Sequence, residues 1–306
     1  SGRYQQAEKL YGEAVDTLSR RTDIDIERID RLRQQQAAVV SDNDRNAEAL
    51  PLLEALLAEQ RGRSNAADNP DLTETLRLLS QTLLRMGVRA DGRDHRLRDA
   101  NAYSEEALAR HVAMYGDDNA MGAFLLRNQA AILGTTGRIG EAMQVYRRAI
   151  DIGGRRIGAN SVFMARLYIR MGQQYQDLLD DPVQAEYALR KALAASPPEA
   201  PVSLAAVSMS LANLLISQDR RFEAEHHVIE GLSRLSSEHM EDSYLRSQLA
   251  YLYFRQYRFD EAAALLTPQV VENVRAGGSL GANRRRYEQL VEMAAFFRLK
   301  LSPEAG

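Results

Sequence analysis

Small and apolar residues recur along this chain at offsets of three and four, the spacing of one face of a helix. The plainest stretch is Gly137-Arg138-Ile139-Gly140-Glu141-Ala142, with Tyr146 and Ala149 following the alanine at +4 and +7. The phrase returns in Arg221-Phe222-Glu223-Ala224 with Val228 and Gly231, and in Arg258-Phe259-Asp260-Glu261-Ala262 with Leu266. Further copies centre on Ala185 (with Leu189 and Ala192), Ala107, Ala49 and Ala7. The seven alanines are separated by 42, 58, 35, 43, 39 and 38 residues, a mean of 42.5. A small residue at the anchor lets a neighbouring helix approach closely, where a bulky one would push the pair apart.

A second helical stripe precedes each phrase. Tyr168, Met171, Gly172 and Tyr175 stand before Ala185, and Leu126, Ala130 and Leu133 before Ala142. Leu211, Ala212 and Leu215 precede Ala224, and Leu249, Ala250 and Tyr253 precede Ala262. Each unit is therefore expected to be two antiparallel amphipathic helices joined by a short turn. Helices are predicted over 4–20, 25–41, 45–60, 71–86, 99–115, 120–136, 138–152, 161–179, 182–195, 201–217, 221–236, 241–256, 258–275 and 283–300. Breakers at Asn69-Pro70, Gly116-Asp117-Asp118, Gly153-Gly154, Pro197-Pro198 and Gly277-Gly278 support the divisions. Pro51 falls past the first turn of its helix and is expected to kink it.

With Tyr168, Met171-Gly172, Tyr175, Ala185, Leu189, Ala192 and Pro197 in sequence, this unit resembles the tetratricopeptide repeat, whose pattern runs aromatic, Leu-Gly, Tyr, Ala, Phe, Pro. The period exceeds the standard one, so the chain looks most like the long-period type of kinesin light chains and many bacterial signalling proteins. The match is looser elsewhere, with Leu126 and Ser208 at the usual aromatic position. The resemblance implies an all-α fold, a right-handed α-solenoid of antiparallel helix pairs with about fourteen helices. Its divisions would be a half repeat at 1–24, repeats at 25–69, 70–119, 120–160, 161–200, 201–240 and 241–282, and a capping helix at 283–301. These form a single solenoid. The opening segment matches the second half of a unit, so the expectation is a fragment of a larger protein. The capping helix is expected to bury Val291, Ala294, Ala295 and Leu299.

In that family the first helix of each unit lines a concave groove that holds a peptide. Carried over by position, the groove set is Arg77, Gln81, Phe124, Arg127, Asn128, Arg166, Gln173, Met209, Asn213, Tyr244, Ser247 and Tyr251. Arginine can clamp carboxylates and asparagine can bond a peptide backbone, so the expected partner is a protein or peptide, with an acidic or C-terminal segment favoured. The alternative is that these arginines pair with acidic residues of adjacent helices.

Composition narrows the function further. The 39 Lys and Arg against 42 Asp and Glu give a net charge of −3, which speaks against nucleic acid as a partner. Absence of cysteine removes disulfides, thiolate zinc sites and a thiol nucleophile, without fixing the compartment. No stretch spans a membrane and no leader is visible, so a cytoplasmic location is expected with the periplasm open. Lysine occurs only at 9, 191 and 300, leaving 36 arginines, a skew that tracks a GC-rich genome and points to a bacterial source. No phosphate loop, metalloprotease pair, nucleophile elbow or kinase signature is present, so no enzyme, cofactor or metal is expected. The histidines 95, 111, 226, 227 and 239 do not assemble a ligand set from spacing alone. The basic runs, Arg147-Arg148, Arg155-Arg156 and Arg220-Arg221 among them, are expected at salt-bridged turns, and Asp117-Asp118 and Asp180-Asp181 at helix starts as caps. The segment 87–98 is expected as a long charged loop. The functional expectation is a protein-interaction scaffold, the repeat region of a larger bacterial signalling or regulatory protein. A ligand-sensing repeat that switches an attached effector is the alternative, and an enzyme has no motif behind it.

Overall fold

The computed structural model describes residues 2–21, 25–43, 45–87, 95–236, 240–276 and 282–297. All regular structure among them is helical, and the chain divides into two compact units, 1–157 and 158–306. The first unit holds α1 (Gly2–Ser19), α2 (Ile26–Asp42), α3 (Asn46–Arg61), α4 (Pro70–Gly87), α5 (His95–Tyr115), α6 (Ala120–Thr135) and α7 (Ile139–Arg156). Here α2 pairs with α3, α4 with α5 and α6 with α7, while α1 packs on α2. The second unit holds α8 (Val162–Asp177), α9 (Pro182–Ala195), α10 (Pro201–Ser217), α11 (Arg221–Ser233), α12 (Met240–Arg255), α13 (Phe259–Leu265), α14 (Pro268–Ala276) and α15 (Ala282–Phe297). There α8 pairs with α9 and α10 with α11, and α12 packs against α13, α14 and α15.

The anchor alanines 49, 107, 142, 185, 224 and 262 are fully buried, and Ala7 is half-buried. Tyr146, Leu189, Val228 and Leu266, four residues on, are buried with them. Gly172 shows how close the helices come. A methyl group placed on it would sit 2.9 Å from Leu189 Cγ and 3.2 Å from the Ala185 carbonyl oxygen. In the first unit the core gathers Leu53, Leu57, Leu72, Leu76, Leu79 and Leu125 around Ala107.

One turn recurs between paired helices. Gly137, Asp180, Asp219 and Tyr257 have φ of 82°, 49°, 60° and 63°. The amides of Arg138, Arg220 and Arg258 donate to carbonyls five residues back, each at 2.9 Å, which closes a Schellman motif. Each of these arginines then occupies the N-cap of the next helix without a side-chain cap bond. Its guanidinium instead grips the glutamate three residues on, from Arg138 to Glu141, Arg220 to Glu223 and Arg258 to Glu261. Arg45 does the same to Glu48. The free end of the fork reaches a glutamate of an earlier helix: Arg45 to Glu8, Arg220 to Glu186 and Arg258 to Glu225. These glutamates include the acidic residue of the sequence phrase, and the arginine is its partner.

Several expectations change. The helix expected over 258–275 breaks at Leu266-Thr267, because Pro268 starts a new helix and the Thr267 hydroxyl accepts from the Val270 amide at 3.3 Å. α3 is the single helix expected over 45–60 and holds Pro51 inside it, as expected. The loop expected over 87–98 is helical from His95 onward, and 88–94 lie outside the described residues. Asp181 caps α9 as expected, but Asn119 caps α6, while Asp117 pairs with Arg148 and Asp118 with Arg155 and Arg156. α15 buries Leu290, Met293 and Ala294, leaving Val291 and Ala295 exposed; its face is turned by one residue from the expected one, and Leu299 lies outside the described residues. Among the described residues no helix is long and apolar enough to cross a membrane.

Candidate functional site

The expected groove residues lie on the first helices of the pairs: α4 and α6 in the first unit, α8, α10 and α12 in the second. In the first unit the arginines are engaged internally. Arg77 forks onto Glu74 at 2.7 and 2.6 Å and donates to Gln81 at 3.0 Å. Arg85 binds Asp42 of α2 at 2.8 Å. Arg127 lies over the Phe124 ring, 5.2 Å from its centroid. Asn128 is buried, and its amide donates to Ser80 Oγ of α4 at 2.5 Å. Gln34 of α2 spans to α4 in the same way, donating to Thr75 Oγ1 at 2.9 Å.

The second unit is organised differently. Phe163, Met164, Leu167, Gly172 and Tyr175 turn one side of α8 inward, which leaves Arg166 and Arg170 exposed four residues apart, on one stripe. Arg170 donates to Gln173 at 3.2 Å, and neither arginine has a carboxylate partner among the described residues. The only carboxylate on α8 is Asp177, pushed above its ordinary range by burial. α10 carries no charged residue at all. Its Asn213 accepts from Gln248 of α12 at 2.7 Å, and Gln248 also reaches the Met209 carbonyl at 3.5 Å. The other amide oxygen of this pair, Gln248 Oε1, is buried without a hydrogen bond.

On α12, Tyr244 and Tyr251 are half-buried, and Arg255 stands over the Tyr251 ring at 6.0 Å. Ser247 is buried and donates to the Tyr244 carbonyl at 2.8 Å, so its hydroxyl is spent within its own helix. The remaining α12 arginine, Arg246, is neutralised by buried Asp242 at 2.6 Å.

The structure thus brings Arg77 together with Gln81, Phe124 with Arg127, and Met209 with Asn213, while Asn128 and Ser247 are enclosed. Sequence reasoning passed over Arg170, Gln248 and Arg255. Arg170 was detectable as the i+4 partner of Arg166, and Arg255 as the i+4 partner of Tyr251. Gln248 carried no signal, because a glutamine that ties two helices together looks like any exposed one. No group of three or more His, Cys, Asp or Glu that would hold a metal occurs among the described residues.

No protein-family model matches the chain, and no curated protein sequence matches it. Solved structures do. BtubC (BKLC) from P. vanneervenii aligns over 99% of this chain and 96% of its own at 17% identity, with a TM-score of 0.52. A kinesin light chain with nearly identical TPR-like repeats from Podosopora anserina covers 76% of this chain and 100% of its own at 16% identity and TM-score 0.52. The apo quorum sensor NprR from B. thuringiensis covers 98% of this chain and 78% of its own at 13% identity and TM-score 0.60. NprR has also been solved in complex with its cognate peptide NprX, and that structure aligns at TM-score 0.55. The chain has the all-α helix-pair fold of the TPR-like repeat proteins.

Proposed function

We propose that this chain binds a peptide or an extended segment of another protein, and that the open side of α8, α10 and α12 is where it does so. The observation that carries this is electrostatic. Arg166 and Arg170 lack carboxylate partners beside an uncharged α10, whereas Arg77 and Arg85 of the first unit are matched by Glu74 and Asp42. An unmatched guanidinium pair favours an acidic segment, which it can hold bidentately. Asn213 and the rings of Tyr244 and Tyr251 supply backbone and apolar contacts alongside. The setting that fits is the repeat region of a larger bacterial signalling or regulatory protein.

The likeness to a quorum sensor solved with its peptide favours a second reading, in which the bound segment switches an attached effector. A fluorescein-labelled, glutamate-rich peptide of about ten residues and an uncharged control of equal length distinguish these proposals from a purely structural role. Binding of the acidic peptide is expected to weaken at least about tenfold in Arg166→Glu/Arg170→Glu and to fall steeply with salt. Equal affinity of wild type and variant, or equal binding of both peptides, overturns the acidic-segment reading.

A further inference from the structure

Two buried glutamines tie neighbouring first helices in the same way. In the first unit Gln34 of α2 donates to the Asp71 carbonyl at 2.6 Å and to Thr75 Oγ1, one turn further along α4, at 2.9 Å. In the second, Gln248 of α12 donates to the Met209 carbonyl at 3.5 Å and to Asn213 Oδ1, one turn further along α10, at 2.7 Å. The two ties end differently. Thr75 is fully buried and turns its hydroxyl back to the Asp71 carbonyl at 3.1 Å, so no donor is left over. Asn213 is half-buried, and its Nδ2, with two hydrogens, makes no hydrogen bond among the described residues. Asn128 of α6 is no parallel, since it is buried and spends its nitrogen on Ser80 Oγ at 2.5 Å. A hydroxyl suffices for the tie; Asn213 adds a donor that the tie does not use.

The network fixes which end of Asn213 faces out. A backbone carbonyl only accepts, so the Met209 oxygen selects the nitrogen end of the Gln248 amide. The second hydrogen of that nitrogen then selects the oxygen of Asn213. Turning both amides over would set Gln248 Oε1 against the Met209 oxygen. It would also replace one buried acceptor without a partner, the present Oε1, by two buried donors without partners. Asn213 is thereby held with its N–H groups toward the open side of α10, a helix with no charged residue.

We propose that Gln248 is a positioning residue, holding Asn213 so that it donates to a backbone carbonyl oxygen of the bound segment. This rests on the binding reading above and adds to it the group that α10 recognises. A neutral donor on an uncharged helix suits a neutral acceptor, which leaves the carboxylates of the segment to Arg166 and Arg170 on neighbouring α8. With its amide turned the other way, Asn213 would present an oxygen to that carbonyl and repel it.

Asn213→Thr copies the Thr75 tie: it keeps an acceptor for Gln248 and removes the outward donor. Affinity for the fluorescein-labelled glutamate-rich peptide should fall about fivefold. The loss should be the same at about 0.1 and 0.3 M salt, since no charge is removed. Gln248→Met should weaken binding about threefold in the otherwise wild-type chain and not at all in the Asn213→Thr background, because Gln248 acts through Asn213. A glutamine that only holds the helices together would weaken both equally. In the free protein, nitrogen NMR relaxation of the Asn213 side-chain amide should show it rigid in wild type and mobile in Gln248→Met. An amide equally rigid in both, full affinity in Asn213→Thr, additive losses, or a loss that shrinks with salt each overturns the proposal and leaves the acidic-segment reading standing. A wild type that binds no acidic peptide overturns that reading, and this proposal with it.

Discussion

Arg220 of the α10–α11 turn reaches Glu186 of α9 across 34 residues of sequence while gripping Glu223 on its own helix. One guanidinium thereby ties the start of α11 to the preceding repeat. The Arg220 hydrogen bond, with Arg190 adding to it, holds the Glu186 carboxyl below the usual range. A carboxylate with a depressed folded-state pKa contributes stability above its unfolded value, and that contribution is lost as pH falls through the folded value. The wild type is therefore expected to lose stability below about pH 4.5, and Arg220→Met to show a shallower acid slope in thermal melts. Equal slopes would remove Arg220 from the cause. Much of the effect should vanish in about 1 M salt, because the pair is partly exposed.

The turns predict opposite signs for two substitutions. Gly137 and Tyr257 hold the same left-handed position, with nothing near the site of a Gly137 Cβ and with the Tyr257 ring 82% exposed. Gly137→Ala should cost about 1 kcal/mol from backbone strain alone. Tyr257→Gly should leave stability unchanged or raise it by up to about 1 kcal/mol, since relief of strain outweighs added chain entropy. Urea unfolding of the two variants reads both directions.

Gly172→Ala should destabilise the α8/α9 pair by about 1–3 kcal/mol, because its methyl group collides with Leu189 and the Ala185 carbonyl. Leu189→Ala added to it should recover part of that loss in a double-mutant cycle, as only the Leu189 side chain can yield.

His227 supplies a second pH dependence, near neutrality. Burial, then neighbouring His226, lowers its pKa, with Arg190 acting in the same direction and Glu230 opposing. A base with a lowered folded-state pKa is neutral in the fold and charges more readily when unfolded. Its contribution is present above about pH 6.5 and is lost as pH falls below that value. The melting temperature should drop between about pH 7 and pH 5.5, and His227→Gln should flatten that drop. An undiminished drop would assign it elsewhere.

The helix-pair fold was legible because its signal is periodic: Ala142, Ala185, Ala224 and Ala262 repeat with their +4 and +7 companions, and burial of all four follows from helix geometry. The split at Leu266-Thr267 was missed because Ala262 and Leu266 continue the stripe up to Pro268, and a proline can start a helix as readily as end one. The facing of α15 was misread by one residue, since Val291 and Ala294 fit one stripe as well as Leu290, Met293 and Ala294 fit another. Candidate site residues were harder still. Arg77 and Arg166 hold comparable places on the first helices of their pairs. Only the presence of Glu74 one turn before Arg77, and the absence of any acid near Arg166 on α8, separates a satisfied arginine from an available one.

The arginine grips also bear on how the chain acquires its structure. Arg45 to Glu8, Arg220 to Glu186 and Arg258 to Glu225 span 37, 34 and 33 residues, each about one repeat. The helix-to-helix bond from Asn128 to Ser80 spans only 48. Native contacts of such short reach make a low contact order, and chains of this kind fold rapidly. During synthesis each pair can be secured by its predecessor as it emerges, so order can spread along the growing chain without waiting for distant segments.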